Sequence, residues 1–381
     1  MTFAFETTPK IVCEDGAAGR LGPVLAELGA QHVLVVTDPF LAGSGLLQPA
    51  LASLAGSGVA ATVFCDVEVD PPQASVEAAA RAARGAGVDA VIGFGGGSSM
   101  DTAKLVALLV GREHRLDDIY GVGLAQGPRL PLVQIPTTAG TGSEVTSVAV
   151  VTTPTGEKKG VSSPLLHADV AVLDATLTLG LPPRLTAMTG VDAIVHAVEA
   201  YTSRHRKNVV SDALAVKAFG LLTGAIGRAV ENGSDLEARR AMLQGSLLAG
   251  IAFDNAPVAA VHALAYPLGG LFHVPHGLSN ALVFAEVAAF NLPKAHGHYA
   301  ELAGFAPRAL TRDRTTGEGF VAAIEALVRS MPMEQRLGEV GVTSGDLDAL
   351  TRDAMNVTRL LVNNPREVTP ADARAIYEAV L

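Results

Sequence analysis

A chain of 381 residues is too long for one compact hydrophobic core, so its length predicts two domains. Hydrophobic residues make up 49% of the chain, but Gly, Pro, His or Asp interrupts each long apolar run before the roughly 20 residues that a membrane span needs. A net charge of −10 and the lack of basic blocks argue against nucleic acid as a partner.

The N-terminus and the cysteines indicate a protein of the reducing cytoplasm. The first ten residues, MTFAFETTPK, contain no basic segment followed by an apolar one, so no signal peptide is expected. The two cysteines, Cys13 and Cys65, are not part of a CxxC pair, which disfavours a disulfide framework and a thiolate metal site. We therefore expect a cytoplasmic protein.

The first 181 residues alternate short β-branched strands with alanine-rich helices. Five segments predict strands, namely HVLVVTD (32–38), VAATVFCDV (59–67), VDAVIGFGGG (88–97), PLVQIPTT (131–138) and VAVLDATL (170–177). Helical segments lie between the first four of these strands, at 45–58, 75–87 and 98–110. Near-continuous apolar strands that alternate with helices are typical of a mostly parallel sheet covered on both faces, so we predict an α/β domain over residues 1–181.

The third strand runs into a glycine loop, GFGGGSSMD (93–101). Gly95, Gly96 and Gly97 let backbone N–H groups approach a ligand without obstruction by a Cβ. Ser98 is placed to cap the following helix, with Asp101 as its partner, and a helix N-terminus that faces such a loop is an anion site. The loop therefore suggests a site for a phosphate group. The alternative is an ordinary strand–helix turn, since Ser98 breaks the strict G-x-G-x-x-G pattern.

Asp38 ends the first strand at the carboxyl edge of the predicted sheet. A carboxylate there can accept hydrogen bonds from an adenosine ribose and repels a 2′-phosphate, so Asp38 predicts NAD rather than NADP as the cofactor. The alternative is that Asp38 only caps the turn DPF.

A second loop, PTTAGTGSEVTSV (136–148), follows the fourth strand and is rich in hydroxyl groups. Its candidate donors are Thr137, Thr138, Thr141, Ser143 and Thr146. So dense a set beside a nucleotide site suggests contacts to ribose, phosphate or carboxamide. Either Lys158 or Lys159 could also reach the ligand, although exposed lysines usually have no specific role.

From LPPRLTAMTGVDAIVHAVEAYTS (181–203) onward, long amphipathic helices replace the strand patterns. We therefore predict an all-α domain over residues 182–381. Asp192 and His196 are four residues apart on the first of these helices and project from one face, and Glu199 continues that face. Such a pair alone is more often a hydrogen bond than a metal site.

Three of the ten histidines fall in AVHALAYPLGGLFHVPHGLSNA (260–281). The segment NAPVAAVHALAY (255–266) predicts a helix that Pro267 and two glycines end, and a new helix follows. His262 near the end of the first helix and His276 near the start of the second converge if the chain reverses between them.

Together with Asp192 and His196, these two histidines make a set of three imidazoles and one carboxylate. The set contains no sulfur and suits a divalent first-row metal such as Fe²⁺ or Zn²⁺. It also leaves a coordination position for a substrate oxygen. The third histidine, His273, is a neighbour of this site rather than a ligand.

Four segments in register resemble signatures of the iron-containing (group III) alcohol dehydrogenase family. They are GGGSSMDTAK (95–104), IPTTAGTGSEVT (135–146), GVDAIVHAVEAY (190–201) and PHGLSNA (275–281). The resemblance covers essentially the whole chain and implies a dinucleotide-binding α/β domain followed by a helical metal-binding domain, a dehydroquinate synthase-like architecture. It also implies a homodimer or a higher homo-oligomer.

The resemblance assigns roles to individual residues. The metal ligands of the family correspond to Asp192, His196, His262 and His276. The position that selects NAD corresponds to Asp38. Other residues at the cofactor correspond to Gly96, Gly97, Ser98, Thr137, Thr138, Thr141 and Thr178. Lys158 rather than Lys159 matches the family's cofactor lysine.

One position departs from the family pattern. Many members carry a second histidine four residues after the third ligand, near the nicotinamide, and this chain has Tyr266 there. Imidazole titrates nearer to neutral pH than a phenol, so His273 is the better candidate for the group that takes the proton, with Tyr266 as a relay. The alternatives are a packed tyrosine ring and a loop histidine that only contacts solvent.

These features predict an NAD-dependent, metal-dependent dehydrogenase that interconverts a primary alcohol and its aldehyde, with Fe²⁺ or Zn²⁺ as the metal. One alternative is a reductase of a carboxylated carbonyl such as maleylacetate or succinic semialdehyde, which needs a cationic residue near the metal. Another is a lyase or synthase that oxidises its substrate transiently with NAD. The expected partners are small molecules, without nucleic acid or a membrane.

Overall fold

The computed structural model describes residues 2–112 and 114–381, which form two compact units. The first unit comprises residues 6–138 and 142–179, and the second comprises residues 2–5, 139–141 and 180–381. The main segment of the second unit begins at Gly180, whereas the sequence places the boundary after residue 181. The sequence gives no indication that residues 139–141 belong to the second unit.

Among the described residues, nine strands belong to the first unit. They are β1 (Lys10–Cys13), β2 (His32–Val36), β3 (Ala60–Phe64), β4 (Ala90–Gly95), β5 (Gly121–Val122), β6 (Leu132–Pro136), β7 (Val148–Thr152), β8 (Lys158–Ser162) and β9 (Val170–Leu173). Six of them form a parallel sheet in the order β1-β9-β6-β4-β2-β3, and β5, β8 and β7 form a small mixed sheet. The prediction of a mostly parallel sheet is confirmed.

Helices cover both faces of the large sheet. They are α1 (Leu21–Glu27), α2 (Pro39–Gly43), α3 (Gln48–Gly56), α4 (Gln73–Ala86), α5 (Gly97–Gly111) and α6 (Leu116–Ile119). Successive side chains of a strand point to opposite faces. Val33 and Val35 of β2 therefore join the hydrophobic cluster that contains α1 and α3, and Leu34 and Val36 join the cluster that contains α4 and α5. Burial on both faces explains why the strand is continuously apolar.

The second unit is built from helices. They are α7 (Pro183–Thr202), α8 (Val209–Glu231), α9 (Leu236–Asn255), α10 (Ala260–Phe272), α11 (His276–Ala303), α12 (Gly317–Arg329), α13 (Leu347–Met355), α14 (Thr358–Leu361) and α15 (Pro370–Ala379). The helical character predicted for this half of the chain is confirmed.

Helix α10 differs from its prediction at both ends. Asn255 is the last residue of α9, so α10 begins only at Ala260, and it continues through Pro267 to Phe272. Pro267 has no N–H to offer the Ala263 carbonyl, which costs a helix about 3 kcal/mol. The apolar side chains of α10 from Ala260 to Leu268 are buried except for the partly buried Tyr266, and this packing offsets the lost hydrogen bond.

Within residues 2–112 and 114–381, one helix, α8, is long and apolar enough to cross a membrane by length and composition alone. Helices α9 and α10 together pass the same test only across a bend of 103°. In the second unit α8 packs against α7 and α9. Its residues Ala215, Phe219 and Leu222 are fully buried there. The apolar composition of α8 is therefore that of a core helix.

Candidate metal centre and cofactor loops

Helix α7 supplies three buried polar side chains to the second unit. Asp192, His196 and Glu199 succeed one another at helical spacing and are 1%, 4% and 4% exposed. Charged side chains are seldom buried so completely unless they are paired or bind a metal. This polar face of α7 therefore indicates a site where the buried side chains are paired with other groups or bind a metal.

Helices α10 and α11 bring two histidines to this site. His262 lies in the first turn of α10, not near its end as the sequence suggests, and His276 is the first residue of α11. His273 ends α10 in the left-handed conformation, with φ of 55°, so the chain reverses between the two helices. A Cβ on Gly277 would lie 2.5 Å from the carbonyl oxygen of Met188, so only glycine lets α11 approach α7 this closely.

The four candidate ligands converge on one point. Their ligand atoms all lie within 4.8 Å of one another. Nε2 of His196 and Nε2 of His262 are 3.0 Å apart, and Asp192 Oδ1 lies 3.9 Å from each of them and 3.6 Å from Nε2 of His276. Three imidazole nitrogens and one carboxylate oxygen, without sulfur, are a donor set that fits Fe²⁺ or Zn²⁺.

Groups around the site orient two of the imidazoles. Nδ1 of His262 lies 2.6 Å from Oε2 of Glu199, and Nδ1 of His196 lies 3.3 Å from the carbonyl oxygen of Gly140. Because Nδ1 is engaged on each ring, Nε2 is the nitrogen that faces the site. The ring of Phe253 stacks on His196 at 4.4 Å between centroids and restricts its rotation.

The protonation states of Asp192 and His196 are those of metal ligands. Burial alone would raise the pKa of Asp192, but the three neighbouring imidazoles outweigh it and lower that pKa. Burial lowers the pKa of His196 to about 3, against the opposing effect of the Asp192 carboxylate. At neutral pH Asp192 is therefore an anion and His196 is neutral, as metal binding requires.

Replacing Glu199 by glutamine is expected to weaken metal binding by about 10- to 100-fold. Both carboxylate oxygens are in use, since His262 Nδ1 contacts one and the Val261 N–H donates to the other at 2.7 Å. A glutamine has one oxygen and would turn its NH₂ group towards a donor. Competition with a chelator measures the affinity, with the exposed Glu325→Gln as control. An unchanged affinity would contradict an orienting role.

The glycine loop of the first unit has the backbone that a phosphate site needs. Gly95 ends β4 with φ of 154°, and a Cβ there would lie 2.6 Å from Ser99 Oγ. Gly96 precedes the first residue of α5, and no side chain in the described part of the chain caps this helix, so the N–H groups of its first turn face the loop. A Cβ on Gly96 would lie 3.7 Å from Thr138 Oγ1. The glycine loop therefore adjoins the loop of residues 136–148, which we call the threonine loop.

Ser98 does not cap α5, contrary to the expectation from sequence. The helix begins at Gly97, and Gly96 takes the extended conformation of the capping position. Asp101, expected as the partner of Ser98, accepts hydrogen bonds from Ser143 Oγ at 2.6 Å and from the Val150 N–H at 2.9 Å. The Asp101 side chain therefore links α5 to the threonine loop through Ser143 and to β7 through Val150.

A buried lysine strengthens this link. Lys104 is 0% exposed, and its Nζ donates to Thr146 Oγ1 at 3.0 Å and to the Val148 carbonyl at 2.8 Å. The same Nζ lies 3.8 Å from Asp101 Oδ1. Ser143 and Thr146, expected at the cofactor, thus have protein partners that hold the two loops together. Their contacts with a cofactor stay predictions.

Three more of the cofactor candidates also have protein partners. Asp38 Oδ1 accepts the Leu41 N–H at 2.9 Å and so caps α2, which is the alternative role considered for it. Lys158 Nζ pairs with Asp70 at 2.8 Å, and the Thr178 hydroxyl donates to the carbonyl three residues before it at 2.8 Å. The cap uses one oxygen of Asp38, and the effect of its charge on the choice of cofactor stays a prediction.

Two family models match the chain in succession. Residues 8–175 match iron-containing alcohol dehydrogenase, and residues 186–381 match the C-terminal part of the Fe-containing alcohol dehydrogenase family. The chain belongs to the iron-containing alcohol dehydrogenase family. The resemblance inferred from the four motifs is confirmed, and with it the enzyme class.

Relatives in this alcohol dehydrogenase family align with nearly the whole chain. Long-chain-alcohol dehydrogenase 1 of Geobacillus thermodenitrificans is 42% identical over 369 residues, 96% of this chain and 93% of that protein. NAD-dependent methanol dehydrogenase of Bacillus methanolicus is 34% identical, over 99% of each chain. The crystal structure of a 1,3-propanediol oxidoreductase matches with a TM-score of 0.95 and 33% identity, over 100% of both chains. These relatives do not favour a reductase of carboxylated carbonyls.

Tyr266, where the sequence analysis expects a departure from the family pattern, has its ring 6.1 Å from that of His276 between centroids. Burial raises the pKa of Tyr266, and the neighbouring guanidinium of Arg359 acts in the opposite direction. His273, the other candidate for the proton, is exposed at the turn between α10 and α11. The part of either residue in proton transfer stays a prediction.

Two polar groups at the metal centre have no counterpart among the site residues predicted from sequence. They are the carbonyl of Gly140 and the side chain of Asn280, whose Nδ2 lies 2.6 Å from Asp192 Oδ1. Asn280 follows His276 by four residues on α11, so helical spacing is a signal that points to it. A main-chain carbonyl has no residue type and leaves no such signal.

Proposed function

We propose that this protein is an NAD-dependent, iron-dependent alcohol dehydrogenase that interconverts primary alcohols and aldehydes. The observation that carries the proposal is the convergence of Asp192, His196, His262 and His276 in one buried centre. The names of two relatives support the substrate class, because the hydroxyl groups of methanol and 1,3-propanediol are primary. We also propose that it acts in the cytoplasm as a homodimer or a higher homo-oligomer.

At this centre a divalent metal would supply a Lewis acid that polarises the oxygen of the substrate. The chain holds the donor atoms in place. Glu199 fixes the ring of His262, and the Gly140 carbonyl and Phe253 fix the ring of His196. Asp192 contributes the negative charge that a dication needs in a buried site.

NAD is proposed to bind to the first unit. The N–H groups at the start of α5 and the loop of Gly95, Gly96 and Gly97 would receive the pyrophosphate, and Asp38 the adenosine ribose. The other side chains proposed at the cofactor are Ser98, Asp101, Thr137, Thr138, Thr141, Ser143, Thr146, Lys158 and Thr178. Asp101 and Ser143 contribute through the hydrogen bond that joins the two loops.

The test is NADH formation by the metal-loaded protein with a series of primary alcohols from methanol to long-chain alcohols. We expect continuous NADH release with at least one of them, loss of activity after chelation, and recovery with Fe²⁺ or Zn²⁺. No turnover with any primary alcohol would overturn the proposal. NAD reduction without NADH release would favour a lyase or synthase.

Replacing His273 is expected to lower kcat by about tenfold or more, because a group that accepts the proton contributes at least this much. His273→Asn is the suitable variant, since asparagine tolerates the φ of 55° at this position. Tyr266→Phe tests the relay. Metal content should not change in either variant, and His296→Asn on the exposed side of α11 is the control. If both variants keep kcat and its pH dependence, the proton leaves by another route.

A further inference from the structure

Glu144 is a buried carboxyl group to which the proposed function assigns no role. It lies in the short turn Ser143–Val145 of the threonine loop and is 1% exposed. Its Oε1 has no hydrogen-bond partner among the residues that the structure describes. A buried acceptor seldom lacks a partner, because burial removes its hydrogen bonds to water. An acidic side chain kept in such a place is a candidate for a role in function.

Two charged side chains of α5 lie beside this turn. Lys104 Nζ donates to Thr146 Oγ1, and Asp101 accepts from Ser143 Oγ, so the residues on either side of Glu144 are tied to α5. Both oxygens of Asp101 accept hydrogen bonds, and its Oδ1 lies 3.8 Å from Lys104 Nζ. Burial raises the pKa of Asp101, and Lys104 and these hydrogen bonds oppose the increase. Asp101 therefore has the partners of an anion, and Glu144 lacks them.

Glu144 changes its charge near neutral pH. Burial raises its pKa to about 7, and its own main-chain N–H and Lys104 oppose this effect. The strand β6 and the Thr8 side chain also contact the turn, and neither brings a charged group to it. Glu144 is therefore largely neutral when the pH is below its pKa and largely an anion when the pH is above it.

The order of the strands directs the nicotinamide end of NAD towards the threonine loop. Asp38 follows β2, the glycine loop follows β4 and the threonine loop follows β6, and these strands are neighbours in the order β2-β4-β6. With the adenosine ribose proposed at Asp38 and the pyrophosphate at the glycine loop, the other end of the cofactor extends towards β6. The Gly140 carbonyl of the threonine loop also contacts His196 of the candidate metal centre, where the alcohol is proposed to bind.

Oxidised NAD and NADH differ by one positive charge, which the nicotinamide ring carries in the oxidised form. A nearby anion attracts the charged ring and has little effect on the neutral one. We propose that Glu144 discriminates between the two forms of the cofactor: as an anion it favours oxidised NAD over NADH, and with its proton bound it does not. The inference rests on the proposed function, because it requires NAD at the threonine loop.

The experiment measures the dissociation constants of NAD and NADH for the metal-loaded protein from about pH 6 to about pH 8.5. NADH fluorescence gives one constant, and displacement of NADH by NAD gives the other. Glu144→Gln keeps the shape of the side chain and is neutral at every pH. Glu27→Gln is the control, since Glu27 is an exposed carboxylate of the same unit that pairs with Lys10.

The affinity of the wild type for NAD relative to NADH should rise by about three- to tenfold across this range, because the interaction of two charges through the protein is of this size. The rise should be centred near the pKa of Glu144. In Glu144→Gln the ratio should stay at the value that the wild type has at low pH, and Glu27→Gln should behave as the wild type. A purely structural carboxyl group would change stability or both affinities, but not their ratio.

Calorimetry of the wild type in buffers of different ionisation enthalpy is a second measurement, which decides alone if Glu144→Gln fails to fold. Coupling between two sites is reciprocal, so near neutral pH the binding of NAD should release more protons, or take up fewer, than the binding of NADH. Equal proton numbers for the two forms would overturn the inference.

A wild-type ratio that does not depend on pH, or the same dependence in Glu144→Gln, would also overturn it. These results leave the proposed function intact, since the protein still binds the cofactor. A wild-type protein that binds neither NAD nor NADH would instead contradict the proposed function itself.

Discussion

Replacing Asp192 by alanine is expected to give a protein that retains no Fe²⁺ or Zn²⁺ and oxidises alcohols at least about a thousandfold more slowly, since a Lewis acid contributes several kcal/mol to such a reaction. Asp192 Oδ1 lies within 3.9 Å of the Nε2 atoms of all three imidazoles. Asp192 also supplies the charge of the donor set. Without it, no carboxylate remains in the donor set to balance the charge of a dication.

Elemental analysis after dialysis and the rate of NADH formation test this prediction together. His276→Ala is expected to behave in the same way, because it also removes one of the four converging donors. Asp348→Ala is the control, since Asp348 is an exposed residue of the same unit that pairs with Arg374. A variant of either ligand that keeps stoichiometric metal would refute its assignment.

Replacing Asp38 by serine is expected to raise the ratio of kcat/KM for NADP to that for NAD by about tenfold or more. Removing the repulsion between a carboxylate and the 2′-phosphate changes the free energy by one to a few kcal/mol, and about 1.4 kcal/mol corresponds to tenfold. Serine also caps helices, so it preserves the contact that Asp38 makes with the Leu41 N–H. The variant therefore removes the charge and keeps the turn.

Steady-state kinetics with both cofactors measure this change in selectivity. Asp89→Ser is the matched control, because Asp89 also accepts backbone N–H groups, from Gln31 and His32 at the opposite end of β2. Its replacement removes an equal charge and should leave the cofactor ratio unchanged. An unchanged ratio in Asp38→Ser would mean that Asp38 serves only as a helix cap.

The four strands that are almost wholly buried could be predicted from the sequence, and so could the largely exposed edge strand β3 from its β-branched and aromatic residues, whereas β1, β5, β7 and β8 could not. β2, β4, β6 and β9 are almost wholly buried, so their composition is close to continuous apolar. β8 is the polar segment KKGVS, and its strand conformation depends on antiparallel pairing with β7. Such pairing is a tertiary effect that local composition does not show. The same reason explains α10, where burial overrides a proline.

The polar side chains of the candidate metal centre could be found because charged groups stand out in apolar helices. The four-residue spacing of Asp192 and His196 already places them on one face. What spacing does not show is which nitrogen of an imidazole points inward, since this depends on Glu199 and on the Gly140 carbonyl. Those partners come from distant parts of the chain, and only the folded structure brings them together.

Residues 139–141 limit how far this enzyme can be treated as two exchangeable modules. They belong to the second unit although the segments on both sides of them belong to the first. The Gly140 carbonyl orients His196, and a Cβ on Gly140 would lie 2.8 Å from the Cβ of Thr189 on α7. A chimera joined at residue 180 would take all four candidate metal ligands from one parent. It would take the Gly140 carbonyl, which orients His196, from the other parent. Residues 139–141 precede residue 180 in the sequence but belong to the second unit, so an exchange of domains between family members must take them into account.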